Sequence, residues 1–148
     1  MKYFAYGSNM NQDRMKEREV EFTKRERATL KGWKLAFNKI SSRNHNEGYA
    51  NIVEDDKEYV EGILYEISEE SIRELDKYEG YPNHYIKISV NVILENNEIV
   101  NAVTYVANPN QVKHGLKPSK EYLNHLIKGC DLLSQEYYEK LRKWDTLD

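Results

Sequence analysis

The chain has 148 residues, 39% of them hydrophobic and 32% charged, enough for one folded domain with a real core. A net charge of −3, from 22 basic and 25 acidic side chains, excludes the electrostatic footprint of a nucleic-acid binder. The single cysteine excludes an internal disulfide and an all-cysteine metal site. No apolar run reaches the ~18 residues of a membrane span. The N-terminal run turns polar at Gly7, too early for a signal peptide, so the chain reads as cytoplasmic. Twelve tyrosines, against five Trp and Phe together, suit a half-wet cavity with buried rings and exposed hydroxyls, although composition bias explains them equally well.

In chain order, Lys2 to Tyr6 reads as a buried strand, broken by Gly7-Ser8-Asn9. Glycine there permits φ > 0, while Ser and Asn favour turns and N-caps. Asn9 to Glu17 follows as one or two helical turns with Met10 and Met15 inward. A strand, a tight turn and a helix start aim consecutive N–H groups at one point, where a carboxylate or a developing oxyanion can bind. Glu17 to Arg27 is charged and expected on the surface. Ala28 to Leu30 and Trp33 to Ile40 read as two strands separated by Lys31-Gly32. In the second, Trp33, Leu35 and Phe37 alternate with Lys34, Ala36 and Asn38. Ser41 to Gly48 is a polar loop. Ala50 to Val53 and Tyr59 to Ile67 read as further strands around a turn at Glu54 to Lys57, with Gly62 at a bulge or a close approach.

Ser68 can cap a helix whose inward positions begin with Ile72 and Leu75. The next position on that face is Glu79, a carboxylate where a leucine is expected. Gly80 and Pro82 end the helix there. Partial burial and the negative end of the helix dipole both disfavour the charged form, which moves the pKa toward the range of a general acid/base. A surface glutamate at a frayed helix end fits the same residues. Tyr85 to Leu94 and Ile99 to Val106 form a hairpin over Asn96-Asn97. Ser119 to Cys130 and a helix capped by Ser134 complete the chain. The predicted fold class is α+β: a small, mixed, mostly antiparallel β-barrel of six or seven strands with peripheral helices, one domain over residues 1–148.

Four separated motifs resemble the γ-glutamylcyclotransferase family, which includes the AIG2-like proteins. Tyr3-Phe4-Ala5-Tyr6-Gly7-Ser8-Asn9-Met10 looks like its YGSN motif, and Leu75-Asp76-x-x-Glu79-Gly80 followed by Tyr85 like its second motif. Gly32 to Asn38 is similar to its third strand, and Pro118-Ser119-x-x-Tyr122 with Gly129 and Leu133 to its C-terminal segment. The resemblance implies a γ-glutamylcyclotransferase-like β-barrel. It also implies cyclisation of a small-molecule γ-glutamyl amide by its own α-amine, releasing 5-oxoproline and a free amine without metal or cofactor. On the matching motif positions Glu79 is the general acid/base and Gly7, Ser8 and Asn9 the substrate-binding turn. Tyr6, Tyr85 and Tyr122 would line the pocket. Arg43, in the loop that departs from the family pattern, could pair with a substrate carboxylate or be solvated. Neither a nucleic-acid nor a membrane partner is expected, and the oligomeric state is open, as is the identity of the amine.

Two other readings stand beside this one. The first is a non-catalytic small-molecule binding module on the same barrel. The second is an amidase with Ser8 as nucleophile, which lacks the Gly-x-Ser-x-Gly pattern and any histidine marked out by spacing. Cys130, on the apolar face of its helix, reads as an inert buried thiol, and the four histidines show no ligand spacing.

Overall fold

The computed structural model describes all 148 residues. Five strands form the barrel: β1 (Lys2–Ala5), β2 (Phe22–Ile40), β3 (Gly48–Ile67), β4 (Tyr85–Leu94) and β5 (Ile99–Ala107). They close in the order β1-β3-β2-β4-β5. Every pairing is antiparallel except β1 with β5, which meet in parallel at Tyr3 and Val103 and seal the barrel. Four α-helices surround it: α1 (Gln12–Glu17), α2 (Glu69–Glu79), α3 (Lys120–Lys128) and α4 (Gln135–Arg142). No helix is long and apolar enough to cross a membrane.

The strand count is smaller than the sequence suggests because two expected breaks are irregularities inside long strands. Lys31-Gly32 does not end a strand. Gly32 adopts φ +86°, and β2 runs on through it. The expected turn at Glu54 to Lys57 is likewise part of β3. Pairing passes from Trp33–Glu54 to Lys31–Tyr59, so Gly32 alone on β2 faces four residues, Asp55 to Glu58, on β3. An insertion of this kind bends and twists the strand, which lets two long strands wrap a small barrel. The charged run before Ala28 is also partly strand: β2 starts at Phe22 and leaves Thr23 and Lys24 exposed.

The helices are capped as their sequences require. Ser68, Ser119 and Ser134 accept hydrogen bonds from the N–H groups of Ser71, Tyr122 and Tyr137. Ser134 also fastens α4 to the barrel: its N–H and hydroxyl donate to the buried Glu61 carboxylate at 2.8 and 2.6 Å. Gly80 ends α2 in the left-handed region at φ +64°, and Tyr81 N–H returns to Asp76 O at 2.9 Å. The buried apolar side chains make one cluster, from Tyr3 and Phe4 on β1 to Tyr137 and Leu141 on α4.

Gly62 lies at a close approach, in regular register opposite Ala28. A Cβ there would stand 2.4 Å from Ala5 O and 2.8 Å from the Phe4 ring. Gly62→Ala is therefore expected to destabilise the protein by roughly 1–3 kcal/mol through overpacking of β1, measured as a lower denaturant midpoint at unchanged slope.

Candidate active site

The open end of the barrel holds a cavity of about 320 Å³, at the small end of the range for small-molecule sites. Its lining joins the turn after β1, the end of β2, the start of β3, the C-terminus of α2, and α3. Seven of the twelve tyrosines contribute to it, which accounts for their number.

Glu79 sits at the last residue of α2 with 16% of its side chain exposed. Ile72 and Leu75 on the same helix are buried, so the helical phase does turn Glu79 inward. The carboxylate is held by two partners. Asn9 Nδ2 donates to its Oε1 at 3.0 Å, and Arg18 Nη1 lies 3.5 Å from the same oxygen. No protein donor reaches Oε2. Burial pushes the Glu79 pKa above the ordinary carboxylate value, opposed by the charge of Arg18 and by the Asn9 hydrogen bond.

Asn9 is almost fully buried, and its amide has little freedom. Oδ1 accepts from Arg18 at 2.9 Å, while Nδ2 serves both Tyr3 Oη and Glu79. Its carbonyl accepts from Tyr65 Oη at 2.7 Å. The turn itself is a single 3-10 turn, Ser8–Met10, in which Met10 N–H bonds back to Gly7 O. The N–H groups of Gly7, Ser8 and Asn9 have no acceptor in the protein, as at any helix start. Gly7, Ser8 and Asn9 all line the cavity with Glu79.

Gly7 is required for a different reason from the one expected. Its φ is −115°, outside the left-handed region, so no positive φ is involved. Space decides the position: a Cβ would lie 3.0 Å from the Ala50 Cβ and 3.7 Å from Tyr122 Oη.

Tyr6, Tyr85 and Tyr122 form the wall the motifs suggest. Tyr6 Oη donates to Tyr105 O at 2.6 Å and Tyr85 Oη to Ala50 O at 2.8 Å. Tyr122 Oη accepts from Ala50 N–H at 3.0 Å. Burial raises all three phenol pKa values, so the wall stays neutral.

Arg43 is not in the cavity. Its guanidinium is over half exposed and pairs with the buried Glu47 carboxylate in its own loop. Of the two readings left open for Arg43, the solvent-exposed one fits, with an internal partner four residues away. Cys130 is buried and bonded to Leu126 O, and burial pushes its thiol up to about 12, so it offers no thiolate. No three His, Cys, Asp or Glu side chains gather as metal ligands.

Among the lining residues that the sequence did not mark as such are Arg14, Arg18, Lys39 and His84. Arg14 and Arg18 sit on or just after α1 with nothing in their spacing to mark them. Lys39 carried a signal. It continues the phase of Leu35 and Phe37, and these three are buried alternately along β2.

A closed five-stranded barrel with a buried carboxylate in a polar cavity at its end defines an enzyme of the γ-glutamylcyclotransferase type. The chain belongs to the family described as gamma-glutamyl cyclotransferase, AIG2-like, whose profile matches residues 3–124. The gamma-glutamylcyclotransferase of Mus musculus is 29% identical over 147 residues, covering 95% of this chain and 76% of that protein. That of Homo sapiens is 27% identical over 152 residues, covering 99% and 79%. A solved structure of a gamma-glutamyl cyclotransferase superposes with a TM-score of 0.88 at 26% identity, over 100% of this chain and 89% of that one.

Gly7→Val should lower turnover about tenfold or more, because its branches would crowd Ala50 and shift the turn away from Glu79. A normal rate in a purified Gly7→Val protein would separate this turn from the chemistry.

Proposed function

We propose that this chain cyclises a γ-glutamyl amide, releasing 5-oxoproline and a free amine, with Glu79 as the proton carrier. The observation that supports it best is the Glu79 carboxylate, part-buried in the cavity and hydrogen-bonded to Asn9 of the turn through one oxygen only. Oε2 is then the atom that exchanges protons.

The substrate brings its own nucleophile. Its α-ammonium gives a proton to Glu79 Oε2, and the freed amine attacks the γ-carbonyl carbon to form the new C–N bond. The carbonyl electrons move onto oxygen, where the free N–H groups of Gly7, Ser8 and Asn9 supply stabilising donors. As the oxyanion collapses, Glu79 returns the proton to the departing nitrogen and the old C–N bond breaks. The ring nitrogen then gives up its second proton through the same carboxylate to the freed amine, which leaves as an ammonium beside the neutral ring amide. The tyrosine walls hold the chain curled, which is where much of the rate enhancement of such a ring closure arises. A carboxylate with a raised pKa serves both proton steps better than an ordinary one.

Glu79→Gln is expected to fold normally and to lose about 10²–10⁴-fold in turnover, read as 5-oxoproline released from a panel of γ-glutamyl amides. For the wild type, kcat/KM should fall in acid. The working form is the carboxylate, so activity is lost as pH drops through its pKa. Burial places that limb above the ordinary carboxylate range. The limb should vanish from the residual activity of Glu79→Gln.

N-acetyl-γ-glutamyl amides should not react, because acetylation removes the internal nucleophile. A Ser8-dependent amidase would cleave them at a comparable rate and release a glutamate derivative, and that result would replace the cyclotransferase reading.

A further inference from the structure

Lys39 is another charged group in the cavity, and the proton chemistry does not use it. It is 2% exposed, on the last turn-ward stretch of β2. Its Nζ donates to Ile40 O at 2.6 Å and is 3.0 Å from His84 Nδ1. With Lys39 as an ammonium, Nδ1 must accept, which puts the His84 proton on Nε2. The rings of Tyr49 and Tyr85 lie 5.8 and 5.7 Å from Nζ, close enough for a weak cation–π contribution. An ammonium has three donors, and the third has no acceptor in the protein.

A buried cation with only neutral partners is costly and calls for a countercharge. None is built in. No carboxylate lies within 4.0 Å of Nζ, and burial lowers the Lys39 pKa, with the charge of Glu79 opposing. The rest of the lining carries the same imbalance. Arg14, Arg18, Lys39 and Lys77 face a single carboxylate, Glu79. Arg18 is committed to Glu79 and Asn9, Lys77 to Glu74, and Arg14 Nη1 is 3.2 Å from His125. Arg14, whose Nε is buried without a partner, and Lys39 are left without a carboxylate, and Lys39 is the more deeply buried of the two.

We propose that Lys39, oriented by His84 and the Ile40 carbonyl, is the subsite that receives a carboxylate of the substrate. The proposal rests on the cyclotransferase reading and deepens it. The substrate class it names is a γ-glutamyl compound that presents a carboxylate beside the reacting centre, whether the α-carboxylate of the γ-glutamyl group or a carboxylate on the amine that leaves. Binding brings the anion to the free N–H of Lys39 and supplies the missing countercharge. It also anchors one end of the substrate across the cavity from the carboxylate that moves protons.

The test compares the wild type with Lys39→Met, which keeps length and apolar bulk but removes the charge. Lys39→Gln serves if the Met variant does not fold. Three substrates are used: γ-glutamylalanine, its α-carboxamide, and γ-glutamyl ethylamide, whose amine carries no carboxylate. For γ-glutamylalanine the variant should raise KM about 10–100-fold with kcat nearly kept, the scale of one lost charge-assisted hydrogen bond. The wild type should discriminate against one of the two neutral analogues by a similar factor, and the variant should not. The analogue whose penalty disappears identifies the carboxylate that Lys39 holds. Equal penalties in both proteins, or an unchanged KM, would overturn the subsite. Binding of glutaryl-alanine, which has both carboxylates but no α-amine, is measured by calorimetry and requires no turnover. Its Kd should weaken by the same factor in the variant, and failure to bind the wild type would also count against the subsite. If the wild type releases no 5-oxoproline from any amide yet binds glutaryl-alanine through Lys39, the cyclotransferase reading fails and the subsite stands.

Discussion

The hydrogen bond from Asn9 Nδ2 to Glu79 Oε1 joins the two segments on which the site depends. One is the turn that leaves β1, the other the last residue of α2. They are 70 residues apart in the chain. Tyr3, Tyr65 and Arg18 fix the Asn9 amide and carbonyl from three sides, so the turn cannot rotate away from the carboxylate without breaking several bonds. The same contact limits what burial does to Glu79. Desolvation raises its pKa, and the charge of Arg18, the Asn9 hydrogen bond and the charges of Arg14 and Lys39 oppose it, leaving a net upward shift.

The barrel makes room for this chemistry by walling its end with tyrosine instead of filling it. Each ring packs into the core, while the hydroxyls of Tyr6, Tyr85 and Tyr122 are tied to backbone groups. Tyr105 Oη donates to Asp76 at 2.6 Å, and Asp76 also accepts from Lys87 at 2.9 Å. Asp76, one turn before Glu79, thus braces α2 against β4 and β5 and does not line the cavity. Phenols raised by burial remain protonated, so the charge in the cavity comes from very few groups.

Glu79 and Lys39 both occupy positions where the local pattern asks for an apolar residue. Glu79 follows Ile72 and Leu75 on the inner face of α2, and Lys39 follows Leu35 and Phe37 on the inner face of β2. A charge in phase with a core stripe is visible without a structure, and the inward placement of Glu79 follows from it. Lys39 is in the same phase, but a lysine near a strand end ordinarily turns to solvent, so the alternation alone does not mark it. Arg43 stays open between substrate and solvent on the sequence. A lone arginine in a polar loop looks available, and only the fold shows Glu47 beside it.

From the sequence alone came the helix starts at Ser68, Ser119 and Ser134, the β4–β5 hairpin, the end of α2 at Gly80, the mixed barrel class and the family. These follow from local hydrogen bonding, side-chain periodicity and motif order, all of which act over a few residues or are read directly from the chain. Tertiary structure decided the rest. Gly32 became a continuing residue of β2, and Asp55 to Glu58 an insertion inside β3, because closing a five-stranded barrel requires long bent strands. Gly7 is needed for the Ala50 contact and not for its φ, since Ala50 arrives from β3. The pairing of Asn9 with Glu79, of Arg18 with both, and the lack of any countercharge for Lys39 are matters of distance between remote segments, which no local pattern encodes.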